Sequence, residues 1–114
     1  MEKAFEEVNG VNFLAAKVPL SDAAAIKTLA FQLTGEHDNA FVLLGSENDG
    51  KALLTLAISK GLAGDKLNAG KMIRDLARNI KGGGGGQPFF ATAGGKDPSG
   101  IDAALSQAKE MVAG

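Results

Sequence analysis

Cysteine is absent from the 114 residues and histidine occurs once, at position 37. Without thiols there is neither a disulfide framework nor a cysteine-based zinc site, and nothing points to an oxidising compartment. A lone histidine in the polar loop Gly35-Glu36-His37-Asp38-Asn39 has no ordered set of partners for a metal. It also leaves no serine or threonine with a second base to draw on, and the acids form no recognisable pair, so no catalytic constellation is expected. Long apolar runs are missing as well. The start, Met1-Glu2-Lys3-Ala4-Phe5-Glu6-Glu7, is charged and lacks a signal-peptide core, and no run reaches membrane-spanning length. A soluble cytoplasmic protein is the expectation, with no membrane partner.

What is present is one core's worth of apolar residues: 45% of the chain is hydrophobic, enough for a single domain and too little for two. The net charge of −1 conceals a local asymmetry. Residues 1–59 carry eight acids and four bases, 60–96 seven bases and two acids, and 97–114 three acids and one base. Positive charge thus surrounds the glycine-rich part of the chain, a modest footprint for a polyanion.

Apolar periodicity orders the elements. Val11 to Val18 reads as a strand closed by Pro19. Ser21 is placed to cap a helix in which Ile26, Leu29, Ala30 and Leu33 recur at helical spacing, with Gly35 as its left-handed stop. Phe41 to Ser46 and Ala52 to Ile58 flank Asn48-Asp49-Gly50, and the Asp-Gly pair predicts a tight antiparallel hairpin of central strands. Asp65 is expected to cap a second helix, with Ala69, Met72, Ile73, Leu76, Ala77 and Ile80 on its buried face. Lys71, Arg74, Arg78 and Lys81 fall on one solvent stripe of the same helix. Phe89 to Ala93 reads as a fourth strand, and Asp97-Pro98-Ser99 starts a closing amphipathic helix with Ile101, Ala104, Leu105, Ala108 and Val112 inward. The order β-α-β-β-α-β-α predicts an α/β (α+β) domain with a mixed sheet of four to five strands and about three packed helices.

Gly82 to Gly86, followed by Gln87-Pro88 and later by Gly94-Gly95, is the unusual segment. Each glycine costs backbone entropy, so five in a row inside a fold imply close backbone approach, either to a ligand or between two packed backbones. A Walker loop would need Lys-Ser/Thr where Gln87-Pro88 stands, and a dinucleotide fingerprint would need the order strand, glycines, helix. Here the order is helix, glycines, strand. The run is therefore expected to be a loop facing the negative end of the second helix, so that any phosphate attraction comes from bare N–H groups and from Arg74, Arg78, Lys81 and Lys96. Phe89 and Phe90, on opposite faces of a strand, offer at most one exposed stacking platform, and both are expected to be covered.

The segment Gly82-Gly83-Gly84-Gly85-Gly86-Gln87-Pro88-Phe89-Phe90-Ala91-Thr92-Ala93-Gly94-Gly95 resembles the signature of the DHHA1 domain that ends alanyl-tRNA synthetases. Gly82 to Gly86, Pro88, Ala91, Ala93, Gly94 and Gly95 match; Gln87, Phe89 and Thr92 depart from the usual arginine, aspartate and glutamine. The resemblance runs from about the first strand onward. It implies a tRNA-binding domain over residues 11–114, with residues 1–10 as the end of an upstream helical linker. It further implies a non-catalytic appendage that contacts the tRNA elbow through Gly82, Gly83, Gly84, Gly85, Gly86, Gln87, Pro88, Gly94 and Gly95, with Arg74, Arg78, Lys81 and Lys96 meeting phosphate. ATP, magnesium and, as an option, zinc would belong to other domains of the parent ligase, which with tRNA would be its partners. A free-standing editing protein with the same tail, a dimerisation or interdomain assembly module forming a homodimer, and the substrate-binding part of a DHH phosphoesterase are the alternatives. An aspartate at Gly84 is expected to weaken tRNA binding without unfolding the domain.

Overall fold

The computed structural model describes residues 6–18, 22–36, 39–48, 50–59 and 67–113. Nine regular elements follow in the order β1 (Glu6–Val8), β2 (Val11–Lys17), α1 (Ala23–Glu36), β3 (Ala40–Asn48), β4 (Lys51–Ile58), α2 (Ala69–Ala77), β5 (Gly82–Gly86), β6 (Phe90–Gly95) and α3 (Ile101–Ala113). The six strands form one sheet in the order β1-β2-β3-β4-β6-β5. Only β2 and β3 are parallel, joined by the α1 crossover, and every other pair is antiparallel. The expected mixed sheet and three helices are present, with more strands than the four to five predicted.

Both faces of the sheet are covered, which is why β3 and β4 read as nearly continuous apolar runs. Phe41 and Leu43 of β3 join Phe13, Leu54, Leu56, Ile73, Leu76 and Ile101 beneath α2 and α3. Val42 and Leu44, one residue out of phase, join Leu14, Ile26, Ala30 and Leu33 beneath α1. The period of two along each strand thus feeds two cores from one sheet. The β3–β4 register pairs Asn48 with Lys51, and Gly50 between them has φ +78°, as the Asp-Gly hairpin predicts. Asp49 itself lies outside the described residues.

Local punctuation differs from expectation at several points. Ser21 and Asp65 lie outside the described residues; the side chain that accepts at the start of α1 is Asp22, from the Ala24 N–H at 3.0 Å. At α2 it is Asn68, whose Oδ1 accepts from the Lys71 N–H at 3.1 Å. Removing this cap with Asn68→Ala should cost about 1 kcal/mol, read as a lower urea midpoint at unchanged slope. Gly35 is not a left-handed stop: α1 runs through it to Glu36, and the positive φ falls on Asn39, at 52°. Glu6–Val8 is an edge strand on β2, not the end of a helix, because Asn9 and Gly10 both take positive φ and turn the chain back. Residues 1–5 of the expected linker, and His37, lie outside the described residues.

The last element begins as predicted. Asp97 accepts from the Ser99 N–H at 3.1 Å, Pro98 opens a 3-10 turn, and α3 continues from Ile101. The hydrogen bond from the Ser99 hydroxyl is the main reason the Asp97 carboxyl sits below its ordinary value, with the Lys81 charge a smaller contribution.

Candidate nucleic-acid interface

The five glycines are not a loop. They form β5, the outermost strand, paired antiparallel with β6 from Gly82 opposite Gly95 to Gly86 opposite Ala91. Glycine is a poor strand former, so pairing, not propensity, makes this strand. A Cβ built on Gly82, Gly84 or Gly86 would lie 1.9, 2.2 or 2.5 Å from the carbonyl oxygens of Gly94, Thr92 and Phe90 respectively. Gly83 and Gly85 have nothing within 4 Å of theirs. Alternate glycines are thus required by the close approach of β5 to β6, while the others face open space.

The same geometry alters the use of Gly84 as a probe. An aspartate there would have to force the two strands apart, so a loss of binding would not separate from a loss of folding. Gly83 and Gly85 are the positions where a side chain can be added to test contact.

Gln87 closes the β5–β6 hairpin, its N–H donating to the Phe90 carbonyl at 2.8 Å and its carbonyl accepting from the Phe90 N–H at 3.3 Å. Pro88 and Phe89 are the two turn residues. From this closing pair, antiparallel alternation sends the N–H and C=O of Gly85 and Gly83 toward β6, and those of Gly82, Gly84 and Gly86 to the outer edge. The edge therefore presents the backbone donors and acceptors of Gly82 and Gly84, while the Gly86 carbonyl lies against Gly70 of α2.

Helix α2 lies along this strand in the opposite direction. Its first N–H groups, of Ala69 and Gly70, donate to the carbonyls of Pro88 and Gln87 at 2.8 and 3.1 Å, and a Cβ on Gly70 would be 2.7 Å from the Gly86 carbonyl oxygen. The positive end of α2 therefore meets the far end of the glycines, where the sequence suggested only its negative end. Those N–H groups are spent on backbone carbonyls. The 3-10 turn Arg78–Ile80 that continues the helix is tied to α3 by a hydrogen bond from Asn79 to Gln107.

Arg74 and Arg78 follow Gly70 at i+4 and i+8, one and two turns along the side of α2 that abuts β5. They are exposed, as are Lys71, Lys81, Lys96, Gln87 and Pro88. Lys81, with φ 55°, is the left-handed residue that turns α2 into β5. Among the described residues, Lys71, Arg74, Arg78 and Lys96 form no ion pair. The basic stripe and the glycine edge thus meet along one border. Gly94 is exposed on β6, whereas Gly95 is half-buried with Ile80 packed against it. No group of three or more His, Asp or Glu side chains converges on a metal-sized site among the described residues, and no described helix is long and apolar enough to cross a membrane.

Neither Phe89 nor Phe90 is fully covered. Phe89 is half-buried in the turn, and Phe90 is half-buried and stacks on Phe31 of α1. Phe31 was not among the sequence candidates. The signal for it is its place one residue beyond Ala30, off the buried stripe of α1.

By fold and edge, the molecule is a three-layer α/β/α domain whose outermost strand is pure glycine, beside a helix whose cations form no ion pair among the described residues. The DHHA1 domain profile matches residues 10–114, and the chain belongs to that family. It is 57% identical over 108 residues to an alanine–tRNA ligase of Christiangramia forsetii, covering 94% of this chain and 12% of that protein. It is 40% identical over 113 residues to the alanine–tRNA ligase of Cytophaga hutchinsonii, covering 98% of this chain and 13% of that protein. The chain thus spans about an eighth of the length of these relatives. Among solved structures it matches the C-Ala domain of Aquifex aeolicus alanyl-tRNA synthetase with a TM-score of 0.90 and 28% identity, covering 96% of this chain and 98% of that one.

Proposed function

We propose that this chain is the tRNA-binding C-Ala-type domain of an alanine–tRNA ligase, and that it holds the tRNA elbow for chemistry carried out by other domains. The observation that carries this reading is the border between the open glycine edge and the cations of α2. Bare backbone at Gly82 and Gly84 can approach ribose or an exposed base edge without a side chain intervening, and Arg74, Arg78, Lys81 and Lys96 supply the charge for phosphate. Shape and backbone contacts of this kind recur in many tRNAs, so little selectivity for one tRNA is expected. Aminoacylation, editing, ATP, magnesium and any zinc would reside in the remainder of a parent ligase working in the cytoplasm.

The open edge of β5 also suits strand addition by a second chain, which keeps the assembly reading in view. One pair of measurements separates them. The domain should bind intact tRNA more tightly than an acceptor-stem minihelix lacking the elbow, and should sediment as a monomer at all concentrations. Equal or absent binding to both RNAs, with concentration-dependent dimerisation, would instead support assembly.

A further inference from the structure

Beside the open edge, β5 and β6 turn a second face toward α1. Directly opposed residues of antiparallel strands share a face, so Gln87 with Phe90, Gly85 with Thr92, and Gly83 with Gly94 form one two-rowed floor. Phe90 packs against the cluster beneath α1, which fixes the side on which this floor lies. Helix α1 itself rests over β3 and β4. Gly83, Thr92 and Gly94 are accordingly exposed, and no atom stands within 4 Å of a Cβ position on Gly83 or Gly85.

At one end this floor, free of side chains at Gly83, Gly85 and Gly94, meets a wall. The ring of Phe31 stacks on that of Phe90 with centroids 4.9 Å apart and planes 27° from parallel. Phe31 is 40% exposed, and among the described residues it is the only large hydrophobic side chain with that exposure. Phe90 covers one of its faces, and the residue nevertheless keeps 40% exposure. The Lys27 Nζ lies 5.4 Å from the Phe90 centroid and 5.9 Å from that of Phe31, and Lys27 has no ion pair among the described residues.

We propose that this shelf is a stacking site for one unpaired nucleobase of the bound RNA. Phe31 provides the platform and Lys27 the charge for the adjoining phosphate, while the side-chain-free floor of Gly83, Gly85 and Gly94 accommodates the ribose. This rests on the RNA-binding reading and adds a second, aromatic contact on the other face of the same glycine strand. The surroundings favour a base over a protein partner. The apolar area is one ring, bordered by Gln87, Thr92, Lys27 and glycine, far below the patch a protein interface buries but matched to a single base. An aliphatic side chain at position 31 would shelter Phe90 equally well; an aromatic ring beside a cation adds a face on which a base can stack.

The chain has no tryptophan and no tyrosine, so Phe31→Trp installs a single indole at the site. Titration of this variant with intact tRNA should quench its emission. Phe31→Leu, which keeps cover over Phe90 but loses the aromatic face, should bind the same tRNA about tenfold more weakly at an unchanged salt slope, since stacking releases no counterions. Far-UV circular dichroism on each variant controls for folding. If the wild-type chain binds tRNA while Phe31→Leu binds equally well and the indole emission stays constant, the shelf is overturned and the RNA-binding reading stands. If the wild-type chain binds no tRNA, both fall together.

Discussion

Gly84→Ala should destabilise the domain by about 2 kcal/mol, while Gly85→Ala, one residue along the same strand, should stabilise it by about 0.5 kcal/mol. The opposite signs follow from strand geometry. A methyl on Gly84 would sit 2.2 Å from the Thr92 carbonyl oxygen and 2.6 Å from the Ala93 Cβ, and neither atom is the end of a flexible side chain. Relief requires β5 to move away from β6, at the expense of their hydrogen bonds and of the packing of Gly70 on Gly86. At Gly85 the methyl meets nothing within 4 Å, and its φ is not in the left-handed region. The remaining effect there is the narrower unfolded ensemble of alanine. For a domain of this size 2 kcal/mol lowers Tm by roughly 10 °C. Paired thermal melts of the two variants would show the alternation directly; equal effects would mean that β5 does not lie against β6 as described.

Arg74→Glu combined with Arg78→Glu should weaken tRNA binding at least about a hundredfold at low salt and reduce the salt slope by about two. Each reversal replaces an attraction by a repulsion. At about 4 Å a unit pair is worth about 1 kcal/mol in water, so two reversals change the interaction by about 4 kcal/mol before screening. Both side chains are exposed and lack ion pairs among the described residues, so the only cost to folding is that of acids at the C-terminal end of α2, about 1 kcal/mol, and the variant should remain folded at 25 °C. That separation of binding from folding is what the glycine positions facing β6 cannot provide. An unchanged salt slope would move the phosphate contacts elsewhere on the domain.

The legible parts of the chain are those in which side chains carry the period. Ile73, Leu76 and Ile80 mark the buried face of α2 and its continuation, and the same spacing assigns Lys71, Arg74, Arg78 and Lys81 to water. The two apolar hairpin strands and the Asp-Gly turn are equally plain. What could not be read is what lacks side chains or depends on distant pairing. Gly82 to Gly86 carries no alternation, and it becomes a strand only because Ala91, Thr92, Ala93, Gly94 and Gly95 stand opposite it. Glu6–Val8 is three residues of mostly acidic sequence, held by pairing with Val11, Asn12 and Phe13. The charge asymmetry pointed to the basic border because Arg74 and Arg78 are close in sequence to the glycines that they adjoin in space. The Phe31–Phe90 stack joins residues 59 apart, beyond the reach of any local pattern.

In the proposed function, the glycine edge and the basic stripe form one RNA-contacting border. Amide chemical-shift mapping of the 114-residue chain during titration with intact tRNA tests it residue by residue. The expected result is perturbation concentrated at Gly82 and Gly84, whose N–H groups face the open edge, together with Arg74, Arg78 and Lys81. Shifts confined to β1 and the exposed side of α3, with the glycine amides unmoved, would contradict it.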